Sequence, residues 1–199
     1  MRKVGATMLM LGFMMLACYY IYYSQKKVNE NNNIEEYIET TSKQDTEEVV
    51  DIEEEPKEEV KQTYQTTYKA ILEIPSISLK KGLVEATNNF RSINYAVSID
   101  KESKYPNEFG NFILYARSGS ARISYFNNLK NVKLEDDIYV YFEGQKYFYK
   151  VYKIYEIDKT GSMKILKPKN EKIITLVTCK TGTDKQIVVL GKQYNIEQY

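Results

Sequence analysis

The chain has 199 residues, a net charge of +1, two cysteines and no histidine. The absence of histidine excludes His-dependent acid–base catalysis and every metal site that needs a histidine ligand. No nucleic-acid-binding motif accompanies the basic residues, so the sequence does not favour a nucleic-acid partner.

Charge is distributed unevenly along the chain. Residues 28–63 contain thirteen acidic and three basic side chains, a net charge of −10, whereas residues 64–199 carry a net charge of +7. This division predicts a solvated acidic segment followed by a basic folded domain. The positive charge of the domain is explained equally by a lysine-rich composition or by attraction to an anionic surface.

The N-terminal segment is apolar. Residues 4–23 contain no charged side chain, and at 1.5 Å per residue they are long enough to cross the roughly 30 Å hydrocarbon core of a membrane. They predict a single-pass transmembrane anchor after a cytoplasmic tail at residues 1–3, with the rest of the chain outside the cytoplasm. A cleaved signal peptide, or a lipoprotein with Cys18 as its lipidated N-terminus, are the alternatives.

The acidic segment follows this apolar run. Residues 24–63 have few large apolar side chains and include the run Glu53-Glu54-Glu55, so they cannot bury enough surface to offset the entropy of ordering the chain. They predict a disordered, extended linker. A helix over residues 47–60 is an alternative, which Pro56 would interrupt.

Residues 64–199 have the pattern of an all-β domain. Short β-branched and aromatic runs alternate with turn signals, and no long amphipathic helix appears among them. Glu143-Gly144 predicts a tight hairpin, and residues 124–129 predict a short helical turn. The spacing favours a barrel or sandwich of about eight strands. The predicted strands are 68–74, 77–79, 94–97, 112–115, 137–142, 146–157, 173–179 and 186–190.

Several motifs in this domain resemble one family. The sequence TLVTC at residues 175–179 is similar to the sortase strand that ends in the catalytic cysteine, and NFILYARSG at residues 111–119 resembles the strand that ends in the catalytic histidine. Further segments that resemble sortases are YFNNL at 125–129, LEDDIYV at 134–140 and QIVV at 186–189.

The resemblance covers residues 70–192 and implies a closed β-barrel cysteine transpeptidase on a bacterial cell surface. In sortases, a thiolate attacks a backbone carbonyl in a sorting-signal peptide of the L-P-x-T-G kind. An amine acceptor, from a cell-wall precursor or a pilin, then takes over the acyl group. Cys179 occupies the position of the nucleophile, Arg117 aligns with the catalytic histidine, and Gln186 aligns with the catalytic arginine.

Because of these two substitutions, the sequence is compatible with two different functions. A guanidinium stays protonated at neutral pH, so Arg117 can attract a thiolate but cannot protonate the leaving amine. A missing general acid costs about 10²–10⁴-fold in rate, and the amide of Gln186 offers an oxyanion only a neutral hydrogen bond. The sequence therefore predicts a slow or altered transpeptidase, or a pseudoenzyme that binds sorting signals or partners without turnover. For Arg117 alone, a solvated surface arginine is the alternative.

The predicted substrate-binding residues lie beside the aligned catalytic positions and in one loop. They are Thr178, Ala116, Ser118, Met163 and Ile165. The last two belong to a basic and apolar loop at residues 159–172, which corresponds to the family's signal-recognition loop or is an ordinary crossover. No cofactor and no metal site are expected.

Overall fold

The computed structural model of the chain describes residues 2–43, 68–86, 96–121, 123–159 and 165–199. The chain divides into an N-terminal helical unit and a β unit. Residues 44–63 of the predicted linker, and residues 94–95 of one predicted strand, lie outside the described residues.

Helix α1 (Arg2–Lys43) is 42 residues long. It continues well past residue 23, so the structure differs from the predicted linker over residues 24–43, which are helical rather than disordered. These residues contain neither proline nor glycine and include several glutamates and lysines, which are good helix formers.

The apolar segment of α1 gives a second correction. No helix within the described residues has both the length and the apolar character needed to cross a membrane. This finding contradicts the predicted anchor at residues 4–23 and the cell-membrane location derived from it. Four of the last five residues in that uncharged run are tyrosines, and serine, glutamine and two lysines follow, so polar groups dilute the hydropathy of the helix.

The described residues of the β unit form a closed barrel of eight strands, which confirms the predicted all-β barrel. Around the barrel the order is β1-β2-β3-β4-β7-β8-β6-β5; β2 is parallel to β3, β4 is parallel to β7, and the other neighbours are antiparallel. The strands are β1 (Ala70–Ile74), β2 (Leu79–Glu85), β3 (Val97–Ile99), β4 (Gly110–Tyr115), β5 (Asp137–Phe142), β6 (Gln145–Asp158), β7 (Lys172–Cys179) and β8 (Lys185–Gln198).

Strands β4 and β7 are buried along nearly their whole length. Strands covered on both faces have this pattern, whereas β5 alternates between buried and half-buried residues because only one of its faces meets the core. Ile174 and Leu176 of β7 belong to the main core inside the barrel. Val177 follows Leu176 but belongs to a separate apolar cluster with Val188 and Leu190. The two faces of β7 therefore meet different environments.

Most predicted strands agree with the structure within a few residues, and the predicted hairpin is present. Strand β5 has the predicted bounds. Glu143 and Gly144 have φ values of 48° and 71°, the positive pair that a two-residue hairpin turn of type I′ requires. Residues 125–128 form turns that lead into a 3-10 helix at Leu129–Asn131. This helix begins at the last residue of the predicted helical turn.

Two strands differ more. The predicted strand at 77–79 is replaced by a 3-10 helix at Pro75–Ile77, after which Ser78 adopts a left-handed conformation and β2 begins at Leu79. Proline at the start of the turn presets the required φ and cannot donate to a sheet. Strand β8 continues to Gln198, past the predicted end at 190, because its polar second half pairs with the equally long β6.

Candidate active site

Cys179 and Gln186 lie opposite each other at the end of the β7–β8 ladder. Cys179 is the last residue of β7, and it pairs with Gln186, the second residue of β8. Directly opposed residues of antiparallel strands project to the same face with Cβ atoms about 4.5–5.5 Å apart. Both side chains are half-buried, so the thiol is partly accessible to a ligand.

The segment after β4 runs along the other side of Cys179. The regular ladder between β4 and β7 ends at the pair Tyr115 and Val177. Beyond that pair, the Ala116 N–H donates to the Val177 carbonyl at 3.4 Å, and the Thr178 hydroxyl donates to the Ala116 carbonyl at 2.9 Å. The Ser118 hydroxyl donates to the Cys179 carbonyl. These contacts extend the strand alignment to residues 116–118.

Arg117 lies in the segment that runs alongside Cys179. It is two residues beyond Tyr115, as Cys179 is two residues beyond Val177, so the register of the β4–β7 ladder, carried past its last pair, aligns position 117 with Cys179. The side chain of Arg117 is exposed. Its backbone carbonyl accepts a hydrogen bond from the N–H of Phe126 at 3.0 Å, and Phe126 is fully buried in the core. The YFNNL segment thus fixes the main chain at position 117.

The floor next to this site is apolar and lies on the outer face of the barrel. Val177, Val188 and Leu190 form a buried cluster there. The flanking side chains that pack on it are Tyr115, Tyr155 and Ile157. Burial raises the pKa of Tyr115 to about 12, with a smaller contribution from the charge of Asp100. This phenol is therefore neutral at physiological pH.

The five predicted substrate-binding residues have different environments. Thr178 and Ala116 are buried, and the Thr178 hydroxyl is engaged with the main chain, as is that of Ser118. Ile165 lines a cavity of about 370 Å³ near Gly110, at the opposite end of β4 from Arg117. Met163 lies outside the described residues. The structure thus brings together Cys179, Gln186 and residues 116–118, and places Ile165 apart from them.

An ion cluster that the sequence did not reveal lies beside Cys179. Glu156 of β6 contacts the ammonium groups of Lys180 at 2.5 Å and Lys185 at 3.9 Å. The hydrogen bond from Lys180 lowers the pKa of Glu156, and the charges of both lysines add to this effect. Lys180 follows Cys179 directly, and Lys185 precedes Gln186, so this cluster braces the turn that joins them. Glu156 is far from both lysines in sequence, so no local signal predicts this cluster. The pairing of β6 with β8 brings Glu156 close to Lys185.

Within the described residues, no group of three or more cysteine, aspartate or glutamate side chains is placed to hold a metal ion. The site offers a partly accessible thiol, with the carboxamide of Gln186 opposite it on β8 and Arg117 in the segment after β4.

Comparisons with known proteins identify the fold and the family. A family description for the sortase domain matches residues 72–194. Sortase A of Listeria monocytogenes is 24% identical, with a TM-score of 0.59 over 66% of this chain and 90% of that one. Sortase A of Corynebacterium diphtheriae, a lid mutant, is 21% identical, with a TM-score of 0.61 over 69% and 75%. A sortase D5 transpeptidase of Clostridium perfringens is 18% identical, with a TM-score of 0.62 over 83% and 98%. A comparison with curated proteins gave no match.

Proposed function

Since the chain belongs to the sortase family, we propose that it is a cysteine transpeptidase of altered mechanism acting on sorting-signal peptides. One observation carries the proposal. Cys179 lies between Gln186 of β8 and residues 116–118, which follow β4, and hydrogen bonds on both sides fix the alignment. This arrangement supports attack on a peptide bond in a signal of the L-P-x-T-G kind.

The proposed reaction has two covalent steps. The Cys179 sulfur attacks the carbonyl carbon of the scissile peptide, and collapse of the tetrahedral intermediate breaks the C–N bond and leaves a thioester. An amine acceptor then attacks the thioester, forms a new amide and releases the thiolate. Gln186 and Arg117 are the donors available to the oxyanion, one neutral and one charged.

The proton that the leaving amine needs distinguishes this chain from its family. A guanidinium does not donate a proton at neutral pH, and the chain has no histidine, so water supplies the proton to the leaving amine. We therefore expect slow acylation. Acyl transfer to an amine is less affected, since the incoming amine releases a proton that solvent can accept.

A mass measurement tests acylation directly. The full-length protein is mixed with an L-P-x-T-G peptide, and an adduct with the mass of the acyl fragment is expected on the wild type but not on Cys179→Ala. A product joined to an added amine, such as oligoglycine, would identify transfer. Absence of any adduct after prolonged incubation at pH 7 to 9 would refute the enzymatic proposal.

A binding protein is the second candidate, because an exposed arginine stands where the family has its proton carrier. In that case the peptide binds to the wild type and to Cys179→Ala with the same affinity, and neither forms an adduct or a product. Equilibrium binding of a labelled peptide, measured beside the mass experiment, separates this outcome from the first.

A further inference from the structure

A buried polar chain connects the nucleophile strand to the loop that follows β6. Asn111 of β4 is only 4% exposed. Its Oδ1 accepts a hydrogen bond from the Thr175 hydroxyl at 2.8 Å, and its Nδ2 donates to the Leu166 carbonyl at 3.0 Å. Thr175 is four residues before Cys179 on β7 and is 3% exposed. Through these two hydrogen bonds, Asn111 of β4 connects Thr175 of β7 to the loop at Leu166.

This chain of hydrogen bonds can be made in one orientation only. The carbonyl of Leu166 can only accept, so it must meet the amide nitrogen of Asn111, and the amide oxygen then accepts from the hydroxyl of Thr175. The opposite orientation of the amide would set its oxygen against the Leu166 carbonyl, two acceptors without a proton between them. Asn111 therefore fixes the main chain of the loop at Leu166, and Thr175 satisfies the remaining oxygen of Asn111.

A second contact holds the next residue of the loop. The Lys167 ammonium contacts the Glu102 carboxylate at 2.7 Å. The hydrogen bond and the positive charge of Lys167 lower the pKa of Glu102. Glu102 belongs to the connection between β3 and β4, so two consecutive loop residues are attached to different parts of the barrel.

Between these attachments the loop does not pack tightly on the barrel. A cavity of about 370 Å³ separates residues 165–169 from the β3–β4 connection and the start of β4. The exposed aromatic ring of Phe109 and the half-buried Ile165 line it. Apolar packing alone therefore does not set the position of residues 165–169. The hydrogen bond to Leu166 and the ion pair of Lys167 hold these residues in place.

We propose that Asn111, Thr175 and Glu102 are positioning residues that hold residues 165–169 in place for recognition of the sorting-signal peptide. The recognition part of this statement rests on the function proposed above. None of the three touches the peptide or the reacting atoms. Loosening the loop should weaken peptide binding and raise KM while leaving kcat nearly unchanged, because Cys179 and its neighbours keep their contacts.

Two pairs of variants of the full-length protein test the proposal. Thr175→Val removes the hydroxyl that donates to Asn111 at almost constant volume, and Thr175→Ser is its control because it keeps the hydroxyl. Glu102→Gln removes the charge that attracts Lys167. Glu108→Gln is its control, since Glu108 pairs with Lys104 within the same connection and does not attach the loop.

Peptide affinity is measured in the Cys179→Ala background, and amide hydrogen exchange of residues 165–172 is measured without peptide. Thr175→Val should weaken binding about tenfold, the equivalent of one lost hydrogen bond. Glu102→Gln should weaken it about twofold, as expected of an exposed ion pair. Both should speed exchange in the loop but not in β5, while the two control variants should behave like the parent protein.

Three results separate the possibilities. Unchanged exchange in Thr175→Val and Glu102→Gln would show that these contacts do not position the loop, and would overturn the proposal. Faster exchange with unchanged affinity would overturn its recognition part. If the parent protein binds no sorting-signal peptide, the function proposed above fails instead. The exchange data then still decide whether the three residues hold the loop.

Discussion

Position 117 offers the most direct test of how this site works. The side chain of Arg117 is exposed, and its main chain is held by the Phe126 N–H, a contact that any residue preserves. Arg117→His should therefore leave the fold intact. Neighbouring strands of a sheet lie about 4.8 Å apart, and residue 117 follows β4 beside the end of β7. We therefore expect an imidazole at this position to reach the sulfur of Cys179 or an amine leaving from it.

The expected gain follows from what the imidazole adds. A positioned general acid contributes about 10²–10⁴-fold, and the lower end applies here because the surrounding shell has not been optimised for histidine. A hundredfold gain corresponds to about 2.7 kcal/mol of transition-state stabilisation. Arg117→Gln is the matched control, because it removes the same charge without adding a group that titrates near neutrality.

The assay is turnover of an L-P-x-T-G peptide with and without an amine acceptor, with Cys179→Ala as the blank. The pH dependence gives a second signature. The wild-type chain has no histidine, so an inflection near pH 6.5 that is present in Arg117→His and absent from the wild type and Arg117→Gln reports the new side chain. Equal rates for wild type and Arg117→His, or a variant without that inflection, would refute the view that a missing proton carrier limits the reaction.

Three further predictions concern the same site and its support. Adding Gln186→Arg to Arg117→His should raise turnover again, since a charged donor would then face the oxyanion; no gain over the single variant would contradict this. Thr178→Val should lower the free energy of unfolding by about 1–3 kcal/mol, because a buried carbonyl loses its donor; denaturant unfolding beside Thr178→Ser checks it. Stability should fall as the pH rises from about 10 to 12, because burial raises the pKa of Tyr105 and Tyr115 to about 12 while the unfolded chain ionises near 10. Urea unfolding at pH 8 and 11 measures this fall, and Tyr115→Phe should reduce it.

The sequence predicts the strands whose burial pattern is local. Strand β5 reads as clean alternation, and the TLVTC strand reads as a continuous buried run, so both follow from side-chain chemistry alone. The second half of β8 does not, since its mostly exposed polar residues carry no such pattern. It is a strand because β6 is equally long and supplies hydrogen-bond partners up to the pair of Gln145 with Gln198.

The N-terminal region shows the limits of composition. Low apolar content predicted disorder from residue 24, yet α1 runs to Lys43. Composition measures what a segment can bury, whereas helix formation also depends on local propensity and on continuation of a helix that has already started. The anchor at residues 4–23 was predicted from the absence of charge, which does not measure how polar the uncharged residues are.

The candidate site was predictable as far as the motifs extend. Cys179, Arg117 and Gln186 were singled out from sequence. Cys179 and Gln186 form the end pair of the β7–β8 ladder, and Arg117 is two residues past the end of β4. Motifs could not reveal what the intervening polar residues do. Thr178 and Ser118 stay predicted substrate contacts, and the structure adds that their hydroxyls donate to main-chain carbonyls where the β4–β7 ladder ends.

The location of positive charge remains the most instructive departure from the family. Sortases have a histidine on the β4 side of the nucleophile and an arginine on the β8 side, as the resemblance implies. In the proposed site, the guanidinium of Arg117 takes the β4 side of Cys179 and the neutral amide of Gln186 takes the β8 side. The cation is then on the opposite side of Cys179, where it would still favour a thiolate or an oxyanion by proximity.

That shift makes the single and double variants at these positions complementary. Arg117→His exchanges a permanent cation for a proton carrier, and the added Gln186→Arg returns a cation on the opposite side of Cys179. If proton transfer alone limits the reaction, the single variant gains most of the rate. If Arg117 also stabilises the oxyanion, the single variant loses part of its gain and the double variant recovers it. The ratio of the two rates therefore measures how much of the present chemistry depends on the guanidinium at position 117.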